Sequence, residues 1–393
     1  MRLWSGQVGL ALGNGVTMIA MPLLVLALTD SPGQAGIVAA ARSLPYLVLG
    51  LPAGALVDRW DRRRVLIWCD LARALALASV PLAWWLSALT TAQLIAVSLV
   101  YGAAVSFSNI AQVAALPRLV AREQLAAAQA SNTSSIGVAA LIGPGIGGVI
   151  IGLGRSTAEG AAVAFLVDAA ANLIDLALIA TIRRPFQMAR PAGERHLRDE
   201  IVAGLRYLWA DRPIRLLAIV NMAHRVCVGG VVVLAVVVLG RDVLGADPAA
   251  LGLIVGAAGA GGLLGSVVTP RLQHRHKVGR LMVVTLALHG LGIGVVGLAG
   301  SVPVAMAGMV VVGVAEAMTS IIQVAYRLGV IPDHLQGRVN SVYRLGSFAA
   351  MTLGVSAVGL LVEGVGARTA LWLMAAYVLI VAAGVARSGV RQL

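Results

Sequence analysis

Three polar side chains recur at helical spacing within an apolar stretch near residue 316. Glu316, Ser320 and Gln323 follow an i, i+4, i+7 pattern, which places them on one face of a helix. A carboxylate among apolar residues could exchange a proton near neutral pH, and the neighbouring hydroxyl and amide could hydrogen-bond a small molecule. The stripe therefore predicts a substrate or proton pathway. A fixed ion pair between Glu316 and Arg225 is the structural alternative.

A second polar stripe has the same spacing. Asp168, Asn172 and Asp175 would share one face of a helix in another apolar stretch. This pattern suggests a proton path, but we favour a structural role for the two buried acids. Under that interpretation Asp168 pairs with Arg42 or with another buried arginine.

Other isolated polar residues have simpler interpretations. Asp70 and Arg73 are three residues apart on one predicted helix and are expected to pair with each other. His289, within LALHGLG, is predicted to be a hydrogen-bonded packing residue. Cys69 and Cys227 are the two cysteines of the chain, and we expect reduced thiols that only fill space. We expect no metal site and no cofactor.

A dense charged strip separates two apolar runs near the start of the chain. The stretch GALVDRWDRRRVL, residues 54–66, carries two aspartates and four arginines. Such a strip could hold one closed state of a moving protein through ion pairs and helix-dipole contacts that can also be broken. The simpler interpretation is a set of arginines that only sets membrane orientation, with an incidental aspartate.

The elements that must position these residues are membrane-spanning helices. The 393 residues are 59% hydrophobic and 12% charged, with a mean hydropathy of +0.90. So few charges cannot cover a soluble domain, and long apolar runs must be helical to satisfy their own backbone groups. We predict twelve spans, at 6–28, 34–57, 65–86, 92–116, 128–153, 161–182, 214–239, 249–270, 280–300, 302–326, 338–362 and 368–388.

Basic residues predict the orientation of the spans. With both termini in the cytoplasm, most of the 30 Lys and Arg residues fall in cytoplasmic segments. We therefore expect a multi-pass protein of the cell membrane. The net charge of +13 then reflects basic loops beside an anionic lipid surface, so no nucleic-acid partner is implied.

The two halves of the chain repeat one another. Gly54 corresponds to Gly265 and Gln112 to Gln323, in both cases 211 residues apart. Such a repeat predicts two parallel six-helix bundles with a cavity between them. The connecting segment carries apolar residues at helical spacing and predicts an amphipathic helix at the membrane surface. The expected domains are 1–182, 183–212 for the linker, and 213–393.

These features together resemble the major facilitator superfamily, in particular its exporters of the enterobactin and macrolide type. The charged strip matches the loop between the second and third spans of that family at Gly54, Asp58, Arg59, Arg62 and Arg63. GPGIGG in the fifth span resembles the antiporter motif of drug exporters, with Gly143, Pro144, Gly147 and Gly148. Glycines there permit close packing between bundles and proline permits a bend, although ordinary small-residue packing is the alternative.

The resemblance implies roles for particular residues. Asp58 would form a cytoplasmic latch with the start of the eleventh span, and Arg344 could belong to that latch. Thr269 replaces the acid in the second half, so that copy should latch weakly. The family places spans one, four, seven and ten around the cavity, which adds Asn14, Asn109, Gln112 and Arg225 to the predicted pathway.

The function expected from these features is secondary active transport. We predict export of small amphipathic, drug-like or siderophore-like compounds in exchange for protons, by a monomer in the lipid bilayer. The apolar residues of the cavity spans suggest an apolar cargo. An importer, or a membrane sensor or scaffold, remains the alternative. A membrane enzyme is not expected because the six histidines are scattered. An ATP-driven pump is not expected either, because the sequence contains no phosphate-binding GxxxxGK loop.

Overall fold

A computed structural model of the chain describes residues 2–119, 125–182, 186 and 197–388. These residues form fourteen α-helices. Their bounds are α1 Arg2–Thr29, α2 Pro32–Arg59, α3 Arg62–Trp85, α4 Thr91–Leu119, α5 Leu125–Gly152, α6 Thr157–Ala180, α7 Leu197–Ala210, α8 Arg212–Arg225, α9 Gly230–Asp242, α10 Pro248–Gln273, α11 Val278–Leu298, α12 Val302–Val330, α13 Asp333–Val365 and α14 Ala367–Arg387.

Most of these helices are long and apolar. In the described part of the chain, ten helical segments have the length and composition needed to cross a membrane, and Gly137–Gly152 is a shorter apolar one. All-helical architecture with apolar spans is thus confirmed. The number twelve stays a prediction, since α2 and α5 do not contribute to the ten although each has 28 residues.

The seventh predicted span is interrupted. We predicted one helix over 214–239, but α8 ends at Arg225 and α9 begins at Gly230. Gly229 has a φ of +65°, a conformation that glycine adopts without steric cost. The consecutive glycines at 229 and 230 also have low helix propensity. The hydropathy of the segment gave no indication of this break, because the apolar run continues across it.

The same helix pairs recur in both halves of the chain. In the N-terminal half α2 packs on α4 and α3 on α6. In the C-terminal half α10 packs on α12 and α11 on α14, as the repeat of 211 residues predicts. Contacts between the halves join α2 to α13 and α5 to α10, with smaller contacts between α1 and α9. We call the end of the bundle where α1 begins the terminal end, and the opposite end the distal end.

The predicted amphipathic helix is α7. It packs against the beginning of α13, where a Cβ built on Gly204 would lie 2.7 Å from the carbonyl oxygen of Arg338. Leu208 is buried in a small cluster with residues of α8 and α13, whereas Leu205 stays exposed. The helix therefore rests on the C-terminal half. The predicted linker positions 183–185 and 187–196 lie outside the described residues.

Candidate functional site

A cavity of about 240 Å³, lined largely by polar residue types, lies among α8, α12 and α13. Its lining residues are Asn221, Arg225, Ser320, Gln323, Val324, Arg327, Asn340, Tyr343, Arg344, Ser347, Phe348 and Met351. Three guanidinium groups thus face one space. We expected Ala, Val, Gly and Leu to line the cavity, and these residue types are wrong except for Val324, although apolar atoms still make up most of the cavity surface. Each helix is oriented about its own axis so that the few polar residues of its span face the cavity.

The predicted stripe on α12 contributes to this cavity. Ser320 and Gln323 line it, and Gln323 accepts a hydrogen bond from the hydroxyl of Tyr343. Glu316 lies 4.0 Å from the Arg225 guanidinium, and about a third of each side chain is exposed. The ion pair that we gave as the alternative is therefore present, but its charged atoms are as far apart as an ion pair allows. Because both groups are accessible, the pair could open to a proton or a ligand.

Residues of the N-terminal half reach the same region through an aromatic stack. The ring of Tyr46 stacks on that of Phe348 with centroids 4.3 Å apart. Asn109, a predicted pathway residue, donates a hydrogen bond of 3.2 Å to the Tyr46 hydroxyl. Asn14 is exposed and accepts a hydrogen bond from Arg42. The half-buried Gln112 has no described contact that assigns it a role.

Sequence reasoning missed three residues in and beside the cavity. Arg327 stands above the ring of Tyr343, 3.8 Å from its centroid, although its position suggested a loop arginine. Tyr343 itself was not singled out, nor was Tyr46, which bridges Asn109 and Phe348. A usable signal existed for the two tyrosines, because aromatic residues make up only 4% of the chain, so each one inside a span is notable.

The charged strip is attached to the N-terminal half. Arg62 donates a 2.9 Å hydrogen bond to the carbonyl oxygen of Ala114 on α4, and Arg63 donates one to that of Ala180 on α6. Asp61 caps α3 by accepting from the Arg64 amide at 3.0 Å. These bonds satisfy backbone groups at helix ends. The strip is thereby braced to three helices of one half.

Other residues predicted for the gate have different surroundings. The side chain of Asp58 lies outside the described residues, and Arg59 is exposed. No described atom lies within 4 Å of a Cβ built on Gly54. Arg344 lies on the cavity wall rather than beside the strip. The gating role of this set stays a prediction.

Helix α5 approaches two partners through its glycines. A Cβ built on Gly143 would lie 2.8 Å from Gly15 Cα, and one on Gly147 would lie 3.0 Å from Val16 Cα, both on α1 of the same half. A Cβ on Gly148 would instead overlap the Pro248 carbonyl of α10. The motif therefore packs within its half and, through Gly148, between halves. We predicted only the second contact.

The halves also meet at the distal end. Arg241 of α9 forms an ion pair with Asp30, just after α1, and Ser31 donates a 3.1 Å hydrogen bond to Glu363 of α13. Further along the same interface, the Thr352 hydroxyl donates a buried 2.8 Å hydrogen bond to Ser43 of α2. These contacts hold the distal ends together.

Comparisons with known proteins agree with this arrangement. A family described as transmembrane secretion effector, within the major facilitator superfamily, matches residues 1–393. The chain belongs to this family. It is 31% identical over 380 residues to the multidrug efflux pump Tap of Mycobacterium bovis, an alignment that covers 91% of this chain and 85% of that protein. The enterobactin exporter EntS of Citrobacter koseri is 25% identical over 355 residues, covering 88% and 80%.

Solved structures share the fold of this major facilitator transporter. The nucleoside transporter NupG superposes with a TM-score of 0.77 at 14% identity, covering 98% of this chain and 97% of that one. A bacterial homologue of the lysosomal transporter Spinster, in an inward-facing unoccupied conformation, gives a TM-score of 0.77 at 14% identity, with 98% and 95% coverage. At such identities the likeness concerns the fold alone.

In this transporter the buried acids of α6 lie inside the N-terminal half. Asp168 accepts hydrogen bonds from Thr17 at 2.7 Å, from Tyr101 at 3.5 Å and from the Asn172 amide at 3.0 Å. No arginine forms an ion pair with it among the described residues. The expected Asp168–Arg42 pair is therefore wrong. Arg42 instead donates to Asn14 and lies over the Tyr101 ring, 4.2 Å from the centroid, so it is near Asp168 without forming an ion pair with it.

Two other predictions for buried polar residues agree with the structure. Asp70 and Arg73 form the expected ion pair on α3, with both side chains buried. His289 is fully buried, and its Nδ1 lies 3.2 Å from Nε2 of His224, so one ring donates to the other. These rings pack edge to face.

Proposed function

We propose that this transporter exports small amphipathic compounds that carry negative charge or several acceptor oxygens, in exchange for protons and by alternating access. The observation that carries the proposal is the cavity with Arg225, Arg327 and Arg344 on its wall and Glu316 as the acid beside it. Guanidinium groups bind carboxylate and phenolate oxygens strongly. The relatives named as a multidrug efflux pump and an enterobactin exporter support the outward direction.

The topology proposed for this activity has twelve spans and both termini in the cytoplasm of a bacterial cell. Bundles at 1–182 and 213–393, joined by 183–212, form a monomer in the inner membrane. The recurrence of helix pairs in both halves supports the division into bundles. The concentration of arginines at the terminal end supports the orientation.

The proposed gates lie at opposite ends of the cavity. At the distal end, the contact of Gly148 with α10 and the ion pair between Asp30 and Arg241 close the route to the outside. At the terminal end, Asp58 with Gly54 and the arginines of the strip would latch the halves in the alternate state. The bonds of Arg62 and Arg63 to α4 and α6 support this, because they make the strip move with its own bundle.

Replacing Arg344 by glutamine is expected to slow export of an anionic dye about tenfold or more. A hydrogen bond to a charged group contributes about 1.5–3 kcal/mol, and each 1.4 kcal/mol is about a factor of ten. Uptake of carboxyfluorescein and of the cation ethidium into inside-out membrane vesicles measures the effect. Arg271→Gln is the matched control, since Arg271 is exposed and donates to its own helix at Val267. Equal loss for both dyes, or loss for ethidium alone, contradicts the proposed substrate class.

Replacing Glu316 by glutamine is expected to abolish stimulation of transport by a pH gradient. Glutamine keeps the shape of the side chain but cannot ionise, so the site can no longer exchange a proton. Carboxyfluorescein uptake into acid-loaded inside-out vesicles, with and without a protonophore, measures the coupling. Ser320→Ala on the same helix face is the control and should keep the stimulation. Full stimulation in the glutamine variant would show that the proton enters elsewhere.

A further inference from the structure

Two of the three buried acids in the N-terminal half are not fully satisfied by hydrogen-bond donors. Asp168 accepts three hydrogen bonds, so its carboxyl oxygens have donors. Asp70 accepts a hydrogen bond from Arg73 through Oδ1, but its Oδ2 has no partner. Asp175 is 1% exposed, and neither of its oxygens has a partner among the described residues.

The unpartnered oxygens belong to two carboxyl groups that face each other. The carboxyl of Asp175 on α6 lies within hydrogen-bond reach of the carboxyl of Asp70 on α3. Two carboxylates only accept hydrogen bonds, so they would repel each other at this separation. One proton placed between them turns the contact into a donor–acceptor hydrogen bond.

Helix α1 closes this pair off from water. A Cβ built on Gly6 would overlap Oδ1 of Asp175, so the backbone of α1 lies directly on the carboxyl. Seven residues later, a Cβ on Gly13 would lie 2.7 Å from Oδ1 of Asp168. Two glycines of α1 thus cover the two acids of α6. An uncompensated charge in such a place is strongly disfavoured.

The charges around the pair favour one added proton. From α3, Cys69 and Arg73 face it, and from α4 Tyr101 lies beside Arg73. The sequence of α5 contains no ionisable residue, and the described side chains of α1 include none. Asp168 lies near the guanidinium groups of Arg42 and Arg73. Three acids therefore share two arginines.

We propose that Asp70 and Asp175 form a proton-binding site that holds one proton between the two carboxyl groups at neutral pH. The site is separate from the cavity and from Glu316. It lies toward the terminal end, because Asp70 is eight residues from the start of α3 and Asp175 is five residues from the end of α6. The bound proton neutralises one of the three acids, so the two remaining negative charges match the positive charges of the two arginines.

Infrared spectroscopy of the purified full-length protein in detergent tests the site without any transported substrate. Wild-type protein at neutral pH should show the carbonyl stretching band of a protonated carboxyl, shifted down in D2O. Asp175→Asn should lose that band but remain folded, because its amide can donate to Oδ2 of Asp70. Asp70→Asn should lose the same band. Glu159→Gln, which changes a partly exposed acid in the first turn of α6, should keep it.

The proposal is overturned if the band is absent from wild type at neutral pH or unchanged in Asp175→Asn and Asp70→Asn. Thermal unfolding followed in parallel shows which variants are folded. If one aspartate variant does not fold, the other carries the test. Glu316→Gln identifies any band from the cavity acid, so a negative result here does not depend on whether the protein exports dyes.

Discussion

Gly148→Ala is expected to slow transport about tenfold or more and to favour the state that is open at the distal end. The added methyl group would overlap the carbonyl oxygen of Pro248 and lie 3.1 Å from the Cα atoms of Ala249 and Gly252, all on α10. Backbone atoms cannot rotate away as a side-chain tip can. Overpacking of this kind costs about 1–3 kcal/mol, and the cost arises only when the distal ends are closed.

Spin labels report this change directly. Leu153, after α5, and Val243, after α9, are both exposed at the distal end. Spin labels on cysteines introduced at these two positions give a distance across the interface. The native Cys69 and Cys227 are buried, so background labelling should be low. Gly152→Ala is the matched control on α5, since no described atom lies within 4 Å of its Cβ. If Gly148→Ala keeps the short distance and full transport, the proposed distal gate is wrong.

Asp168→Ala is expected to destabilise the protein by about 3–5 kcal/mol, the usual cost of removing one partner from a buried charged network. The Thr17 hydroxyl would lose its acceptor, whereas the Asn172 amide would keep the backbone carbonyl of residue 168 at 2.7 Å and the Tyr101 hydroxyl would keep only Asn14, at 3.4 Å. The nearby guanidinium groups of Arg42 and Arg73 would lose a counter-charge. Thr17 is buried, so water cannot easily replace the carboxylate as the acceptor of its hydroxyl.

Thermal unfolding in detergent, followed by size-exclusion chromatography, measures the loss. Thr17→Val removes only one donor and should cost about 1 kcal/mol. Glu159→Gln changes a partly exposed acid in the first turn of the same helix, which accepts one hydrogen bond from the Arg155 amide, and should stay within about 1 kcal/mol of wild type. An Asp168→Ala protein as stable as Glu159→Gln would show that the hydrogen bonds to Asp168 contribute nothing.

The polar stripes show how far local patterns reach. The spacing of Asp168, Asn172 and Asp175 correctly predicted one buried face on α6, because side-chain direction along a helix follows from its period. The spacing could not predict which groups would face it. Asp168 meets hydroxyls and an amide instead of Arg42, and Asp175 meets Asp70. Those partners lie on helices whose rotation is set by packing along their whole length.

The cavity illustrates the same limit. Glu316, Ser320 and Gln323 were predicted from one helix, and the family resemblance added Asn109 on the fourth span. Arg327 was missed because its turn of α12 lies near a loop in sequence, yet it faces the cavity and stacks on Tyr343 of α13. No pattern within one helix contains that information.

The amino-acid sequence by itself determined the membrane class, the helical spans, the duplication and the faces on which polar residues lie, because hydropathy and helical period are properties of neighbouring residues. Only the tertiary structure decided that α8 and α9 are separated, that Gly148 meets α10 while Gly143 meets α1, and that two carboxyls face each other under Gly6. Those features depend on how helices distant in the chain rotate and approach, and small residues permit an approach without specifying its partner.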